Sequence, residues 1–166
     1  MSVWGIVVAA GGGTRYGGLK QYEVLRGRRV VDWARQATLR SCEGVVMVVP
    51  PDRIEHREPG AHRVVAGGAT RSASVRAGLG AVADDAEIVV VHDGARPLAS
   101  VELFRRVIDA VRAEALRRAH DGEPDATDDA ALVEAIGGTV AVVDGEHRNI
   151  KITTPLDLRF AAFLLG

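Results

Sequence analysis

A chain of 166 residues is long enough for one hydrophobic core and short for two ordinary domains, so a single domain spanning residues 1–166 is expected. Its composition, 47% hydrophobic and 26% charged with only 4% aromatic residues, is globular and leaves Val, Ala and Leu to fill the interior. A net charge of −1 excludes the broad positive field that holds a nucleic-acid duplex or an anionic membrane, and the lone Cys42 excludes an internal disulfide or a cysteine-ligated zinc site.

Residues 4–9, Trp-Gly-Ile-Val-Val-Ala, form a β-branched run closed by glycines, the pattern of a buried parallel strand. The run is far shorter than the ~20 apolar residues of a membrane span, so a cytoplasmic protein with no membrane or nucleic-acid partner is expected. Residues 30–41 place Val30, Val31, Ala34, Ala37 and Thr38 at helical spacing, and 44–49 read as a second strand. Pro50 and Pro51 stop that strand, and 52–60 are a polar surface loop.

A third strand at 62–66 leads through Gly67-Gly68 into a helix at 72–83 with Val75, Leu79 and Val82 on one side. A fourth strand at 87–91 follows. Ser100 is a helix cap, and Phe104, Val107, Ile108, Val111, Ala115 and Ala119 keep helical phase to about residue 120. Thr127 caps a further helix ending at Gly137-Gly138, and 140–143 read as a strand. Lys151 lies in an apolar strand, Ile150-Lys151-Ile152, and Thr154-Pro155-Leu156-Asp157 opens the last helix with a cap, a proline and an acid in order.

Strands alternating with helices predict an α/β fold whose mostly parallel sheet is covered on both faces, with ligands beyond the carboxyl ends of the strands. Residues 10–20 lie directly after the first strand, so their glycines bring backbone N–H groups to that end, and Arg15 and Lys20 add charge for the same anion. No Gly-Lys-Ser/Thr follows, and the closing glycine of a dinucleotide fingerprint is missing. Asp93 follows the fourth strand as either a site carboxylate or a turn-former before Gly94. His92 is expected to pack. A cation between two isoleucines, Lys151 must reach solvent or an anion. Asp128, Asp129 and Glu134 read as helix N-terminal charges and a solvated face.

Four stretches, in order, resemble the 2-C-methyl-D-erythritol 4-phosphate cytidylyltransferase family. They are Ala-Ala-Gly-Gly-Gly-Thr-Arg at 9–15 with Lys20-Gln21-Tyr22, Gly-Gly-Ala-Thr-Arg-Ser-Ala-Ser-Val at 67–75, Val-His-Asp-Gly-Ala-Arg-Pro at 91–97, and Asn-Ile-Lys-Ile-Thr-Thr-Pro at 149–155. The resemblance implies a Rossmann-like three-layer α/β/α nucleotidyltransferase fold, a homodimer, and Mg²⁺-dependent transfer of a cytidylyl group from CTP to 2-C-methyl-D-erythritol 4-phosphate. It implies that Ala9, Ala10, Gly11, Gly13, Gly67, Gly68, Ser74 and Ala95 bind CTP, and that Arg15, Lys20 and Lys151 act on the reacting phosphates. Asp93 would face the metal ion and Arg96 the acceptor phosphate. Ala69 departs from relatives that carry Asp there, which removes one contact to the base.

The resemblance covers residues 3–112 and 114–165. Between them the family has a few dozen further residues: a sheet strand, an Asp-Thr-x-Lys motif, an arginine near Gln-Thr-Pro-Gln, and an arm exchanged across the dimer. No residue of this chain can take those roles, and helical phase across Arg112-Ala113-Glu114 predicts one fused helix of roughly 20 residues. The expectation is therefore an intact CTP half and an acceptor half without its central segment. Two other functions stay open on the retained motifs: cytidylyl transfer to ribitol 5-phosphate, and CTP binding without transfer.

Overall fold

The computed structural model describes residues 2–56, 58–110, 129–135, 137–138 and 140–166. Its strands are β1 (Val3–Val8), β2 (Val24–Leu25), β3 (Arg28–Arg29), β4 (Gly44–Val49), β5 (Arg63–Ala66) and β6 (Ile88–Asp93). Its helices are α1 (Val30–Leu39), α2 (Arg71–Leu79), α3 (Val101–Ala110), α4 (Asp129–Ala135) and α5 (Pro155–Leu164). The main sheet has the order β5-β4-β1-β6, every pair parallel, and β2 and β3 form a separate antiparallel pair. The chain steps outward from β1 through β4 to β5 and then returns to the other side of β1. The resulting switch point lies between β1 and β6, where an open α/β sheet offers a ligand crevice.

The alternation of strand residues decides which layer each one builds. Ile6, Val46 and Val48 face one way and pack with Val82 and Leu79 at and beyond the end of α2. Val7, Val45, Met47 and Val49 face the other way, against Val31 and Ala34 of α1. Phe104 of α3 joins Val3, Ile88 and Val90 on that second face, beside Ala37 of α1. The sheet is thus covered on both sides, and its central strands β1 and β4 are apolar on both, as parallel strands are.

Several boundaries follow from local chemistry. Ser100 Oγ accepts from Leu103 N–H at 3.0 Å at the start of α3. Thr154 and Asp157 form a reciprocal capping box in which Asp157 Oδ2 accepts from Thr154 N–H at 2.7 Å. The second helix ends at Leu79 rather than at 83: the Ala81 and Val82 N–H groups donate to Gly78 and Leu79 in tighter turns, and both side chains enter the core. The 52–60 loop holds a buried carboxylate, Glu58, bound by Arg29 Nη2 at 2.7 Å and Arg35 Nη1 at 2.9 Å.

The expected strand at 140–143 does not form. Val142 is 93% exposed, and among the described residues no ladder includes this stretch. β-branched residues become a strand only against a neighbour, and here none is supplied. The expected run around Lys151 is likewise an extended segment outside the sheet, fastened by Ile152 N–H donating to the Ala95 carbonyl at 2.8 Å. The predicted continuation of the third helix through Val111, Ala115 and Ala119, the junction at residues 112–114, the Thr127 cap and Asp128 lie outside the described residues. Glu134 is exposed on α4, as a solvated face requires. No helix of the described residues is long and apolar enough to cross a membrane.

Candidate active site

A cavity of about 240 Å³ opens at the carboxyl ends of β1, β5 and β6. Its β1 wall is the loop that begins at Ala9, whose N–H donates to the Val48 carbonyl and so extends the sheet by one bond. After that the loop turns the Ala9 and Gly11 carbonyls toward Gln21. Gln21 Nε2 donates to the oxygens of Ala9 at 2.7 Å and Gly11 at 2.9 Å. The oxygen of Gly13 accepts from Tyr16, Gly17 and Gly18 N–H. Gly13 has φ +63°, and a Cβ there would overlap the Gly18 carbonyl oxygen, so only glycine closes this turn.

Lys20 begins a single 3-10 turn, Lys20–Tyr22, and lines the same cavity. Burial, together with the charges of Lys151 and Arg15, holds its ammonium below the ordinary lysine value; Asp93 and Asp157 oppose the shift. Arg15 is exposed and does not line the cavity. Its charge nevertheless reaches Lys20.

The β5 wall is Gly67-Gly68 and the start of α2. Gly67 is packed behind the wall, where a Cβ would overlap that of Ala10, while Gly68, Ala69 and Thr70 face the opening. Ser74 is buried, and its hydroxyl donates to the Thr70 carbonyl at 3.0 Å. With its one proton committed there, Ser74 Oγ is left as an acceptor.

Asp93 is the last residue of β6 and the centre of the charged cluster. Lys151 Nζ lies 2.8 Å from one of its carboxylate oxygens, Arg96 Nε 3.5 Å from the same oxygen, and Arg71 Nε 3.7 Å from the other. Burial pushes the Asp93 carboxyl up, but the Lys151 hydrogen bond and the charges of Lys151, Arg71 and Arg96 outweigh it and hold the group below the usual carboxylate value. Lys151 is placed by the bond from Ile152 N–H to the carbonyl of Ala95, itself a wall residue.

Arg96 does not face this cavity. It donates to the Asn149 carbonyl at 2.7 Å and lines a second opening of about 440 Å³ that shares Arg71 and Asp93 with the first. The neighbouring His92 is buried, tilted against Phe104 with ring centroids 5.0 Å apart, and its Nε2 lies 3.1 Å from the Arg96 carbonyl. Burial drives its pKa down to about 4, so it packs as a neutral ring.

Of the residues expected from sequence, the structure therefore brings Ala9, Ala10, Gly11, Gly13, Lys20, Gly68, Ser74, Asp93, Ala95 and Lys151 around one cavity. Gly67, Arg15 and Arg96 stand behind or beside it. Two residues carry no role in the sequence reading: Arg71, which walls both openings, and Gln21, which holds the glycine loop. Both lie inside recognisable motifs, but only their three-dimensional partners reveal what they touch. No group of three or more His, Cys, Asp or Glu side chains suited to holding a metal ion occurs among the described residues. Among the described residues Asp93 alone offers a carboxylate to the cavity, which fits a Mg²⁺ ion that keeps most of its ligands from water and phosphate oxygens.

Comparison with known proteins places this geometry in context. The family described as IspD: 2-C-methyl-D-erythritol 4-phosphate cytidylyltransferase matches residues 3–119 and again 109–166. The chain is 37% identical to the 2-C-methyl-D-erythritol 4-phosphate cytidylyltransferase of Rhodococcus opacus over 96% of its own length and 93% of that protein. It is 36% identical to the bifunctional enzyme IspD/IspF of Dinoroseobacter shibae, and spans about half the length, 54%, of that relative. That alignment runs to 217 positions for a chain of 166 residues, so the relative carries residues that this chain lacks. The crystal structure of the cytidylyltransferase from Thermus thermophilus superposes with a TM-score of 0.80 at 29% identity, covering 99% of this chain and 98% of that one.

Proposed function

The chain belongs to the 2-C-methyl-D-erythritol 4-phosphate cytidylyltransferase family, and from that premise we propose that it transfers the cytidylyl group of CTP to 2-C-methyl-D-erythritol 4-phosphate. The products are 4-diphosphocytidyl-2-C-methyl-D-erythritol and pyrophosphate, and the chain works as a single domain in the cytoplasm. The observation that carries this reading is the convergence of the glycine loop, Lys20, Lys151 and Asp93 on one cavity at the sheet switch point.

An oxygen of the acceptor phosphate attacks the α-phosphorus of CTP in line. The bond from that phosphorus to the bridging oxygen breaks, and pyrophosphate leaves with the electron pair. No covalent enzyme intermediate is needed, so the protein's task is positioning and neutralising charge. The N–H groups of the loop after Ala9 hold the triphosphate, and Lys20, with Arg15 behind it, stabilises charge on the α-phosphoryl and the departing pyrophosphate. Lys151, within the cavity, and Arg96, across Asp93 from it, hold the acceptor phosphate. Gly67, Gly68, Ser74 and Ala95 enclose the cytosine and ribose, with Ser74 Oγ accepting from the base amino group. Asp93 would hold Mg²⁺, which when bound would supply positive charge against the triphosphate.

A second reading, CTP binding without transfer, is favoured by one observation: relatives carry residues absent from this chain. The deciding measurement is pyrophosphate release from CTP and Mg²⁺ with 2-C-methyl-D-erythritol 4-phosphate and ribitol 5-phosphate offered separately. Release with the first alone supports the proposal, and release with the second alone reassigns the acceptor. Mg²⁺-dependent thermal stabilisation by CTP without release from either leaves only the binding function.

A further inference from the structure

Gln21 is 3% exposed, yet both protons of its side-chain amide are committed, to the Ala9 and Gly11 carbonyl oxygens. In a trans peptide the C=O and the following N–H point in opposite directions. Drawing the Ala9 and Gly11 carbonyls toward Gln21 therefore turns the N–H groups of Ala10 and Gly12 away from it. Neither N–H donates to a partner among the described residues, although Ala10 and Gly12 both line the cavity. Ala10 is partly buried and Gly12 exposed, and an N–H that no protein acceptor takes is free to donate to an anion in the cavity.

The anchor for Gln21 is itself stiff. It sits in the middle of the Lys20–Tyr22 turn, and the Tyr22 ring has the Arg53 guanidinium 4.2 Å and the Arg29 guanidinium 5.7 Å from its centroid. Arg29 is fixed in turn by Asp32 and by buried Glu58. Beyond the turn, Val30 N–H donates to the Glu23 carbonyl at 2.9 Å.

We propose that Gln21 is the positioning residue of the phosphate loop: it aims the Ala10 and Gly12 N–H groups at the triphosphate and locks the loop to the turn that carries Lys20. One side chain thereby sets the distance between the neutral donors and the ammonium that act on the same ligand. The inference rests on the reading of this loop as a triphosphate site, and it assigns Gln21 no contact with the reacting atoms.

The test uses the full chain, Gln21→Met, which keeps the volume and removes both donors, and Gln21→Glu, which sets a carboxylate against two carbonyl oxygens. Affinities for CTP and for inorganic triphosphate are measured by calorimetry with Mg²⁺, and backbone amide shifts are followed by NMR. Both variants are expected to bind CTP and triphosphate at least roughly tenfold more weakly, Gln21→Glu the more so. In Gln21→Met the Ala10 and Gly12 amides should stop responding to triphosphate while the Gly68 and Ser74 amides still respond to CTP. A general loss of packing would not produce that split.

Parental affinity in folded variants overturns the inference and leaves the functional reading standing. A parent chain that binds neither CTP nor triphosphate overturns both. Should the variants fail to fold, the parent alone decides. The Gln21 side-chain amide protons must be protected from solvent exchange, and the Ala10 and Gly12 amides must shift on adding CTP; free exchange or unmoved amides overturn the proposal.

Discussion

The Lys151 ammonium lies 2.8 Å from a carboxylate oxygen of Asp93, across some 58 residues of sequence, and Arg96 and Arg71 approach the same carboxylate at 3.5 and 3.7 Å. One anion thus holds three cations in register, Lys151 and Arg71 on the cavity and Arg96 on the second opening. Asp93 offsets their mutual repulsion. With a triphosphate in the cavity, Lys151 and Arg71 have a second anion to hold.

Replacing Asp93 by Asn removes this shared partner and leaves three positive charges facing each other. CTP should then bind at least as tightly in the absence of Mg²⁺, because the cations no longer have an internal competitor. The enhancement of binding by Mg²⁺ should fall, and turnover with it. Calorimetric titration with CTP in EDTA and in Mg²⁺ checks both signs.

Acid stability should change in the same variant. The Asp93 carboxyl is held below its ordinary value in the folded chain, so its stabilising contribution is complete above the unfolded carboxylate pKa of about 3.9 and is lost as the pH falls through the lower folded value. Urea midpoints followed from pH 6 down to pH 3 should fall less steeply for Asp93→Asn than for the parent.

For Lys20→Ala, turnover should fall on the order of 10²–10³-fold, the usual cost of removing one preorganised charge from a developing anion. CTP affinity should change much less, since the loop N–H groups and the base contacts remain. Steady-state pyrophosphate release together with a direct binding isotherm separates the two effects, and near-parental turnover would refute the role given to Lys20.

His92 predicts a pH slope of its own. Its folded pKa, about 4, lies below the unfolded value near 6.5, so the unfolded chain takes up the proton first and stability declines as the pH falls between those values. The decline is on the order of 3 kcal/mol across the window. Gln at position 92 can keep the bond to the Arg96 carbonyl and cannot titrate, so urea unfolding at pH 7 and pH 5 should lose the slope in His92→Gln.

Glu58 is a structural counterpart to Asp93, its side chain 1% exposed between Arg29 and Arg35. Glu58→Gln leaves Arg29 and Arg35 with Asp32 as their shared carboxylate and should cost about 1.5–3 kcal/mol, the typical worth of a hydrogen bond to a charged group. Denaturant unfolding of the variant gives the number directly, and a loss below about 1 kcal/mol would show that the arginines relax into solvent.

The alternation of β1, β4 and β6, the glycine loop and the caps at Ser100 and Thr154 were legible because each is set by residues close in sequence. The run at 140–143 was not, since Val140 and its neighbours have strand composition and a strand also needs a partner edge. Gln21 was legible as a letter of a motif, but its work is done on carbonyls 10 and 12 residues away, which only folding brings to it. Arg71 and Glu58 were missed for a related reason. A charge in sequence reads as solvated surface until its opposite arrives from another element.

The opening beside Asp93 has a consequence for chemical selectivity. It places Arg96, Asn149 and Glu146 around a space of about 440 Å³, on the side from which the proposed acceptor would attack. Water is a competing nucleophile wherever an activated phosphoryl group meets solvent, and enzymes suppress it by closing over the substrate. Where water reaches the α-phosphorus from this side, CTP is diverted to CMP and pyrophosphate, and the ratio of CMP to transferred nucleotide measures how far the bound acceptor excludes it.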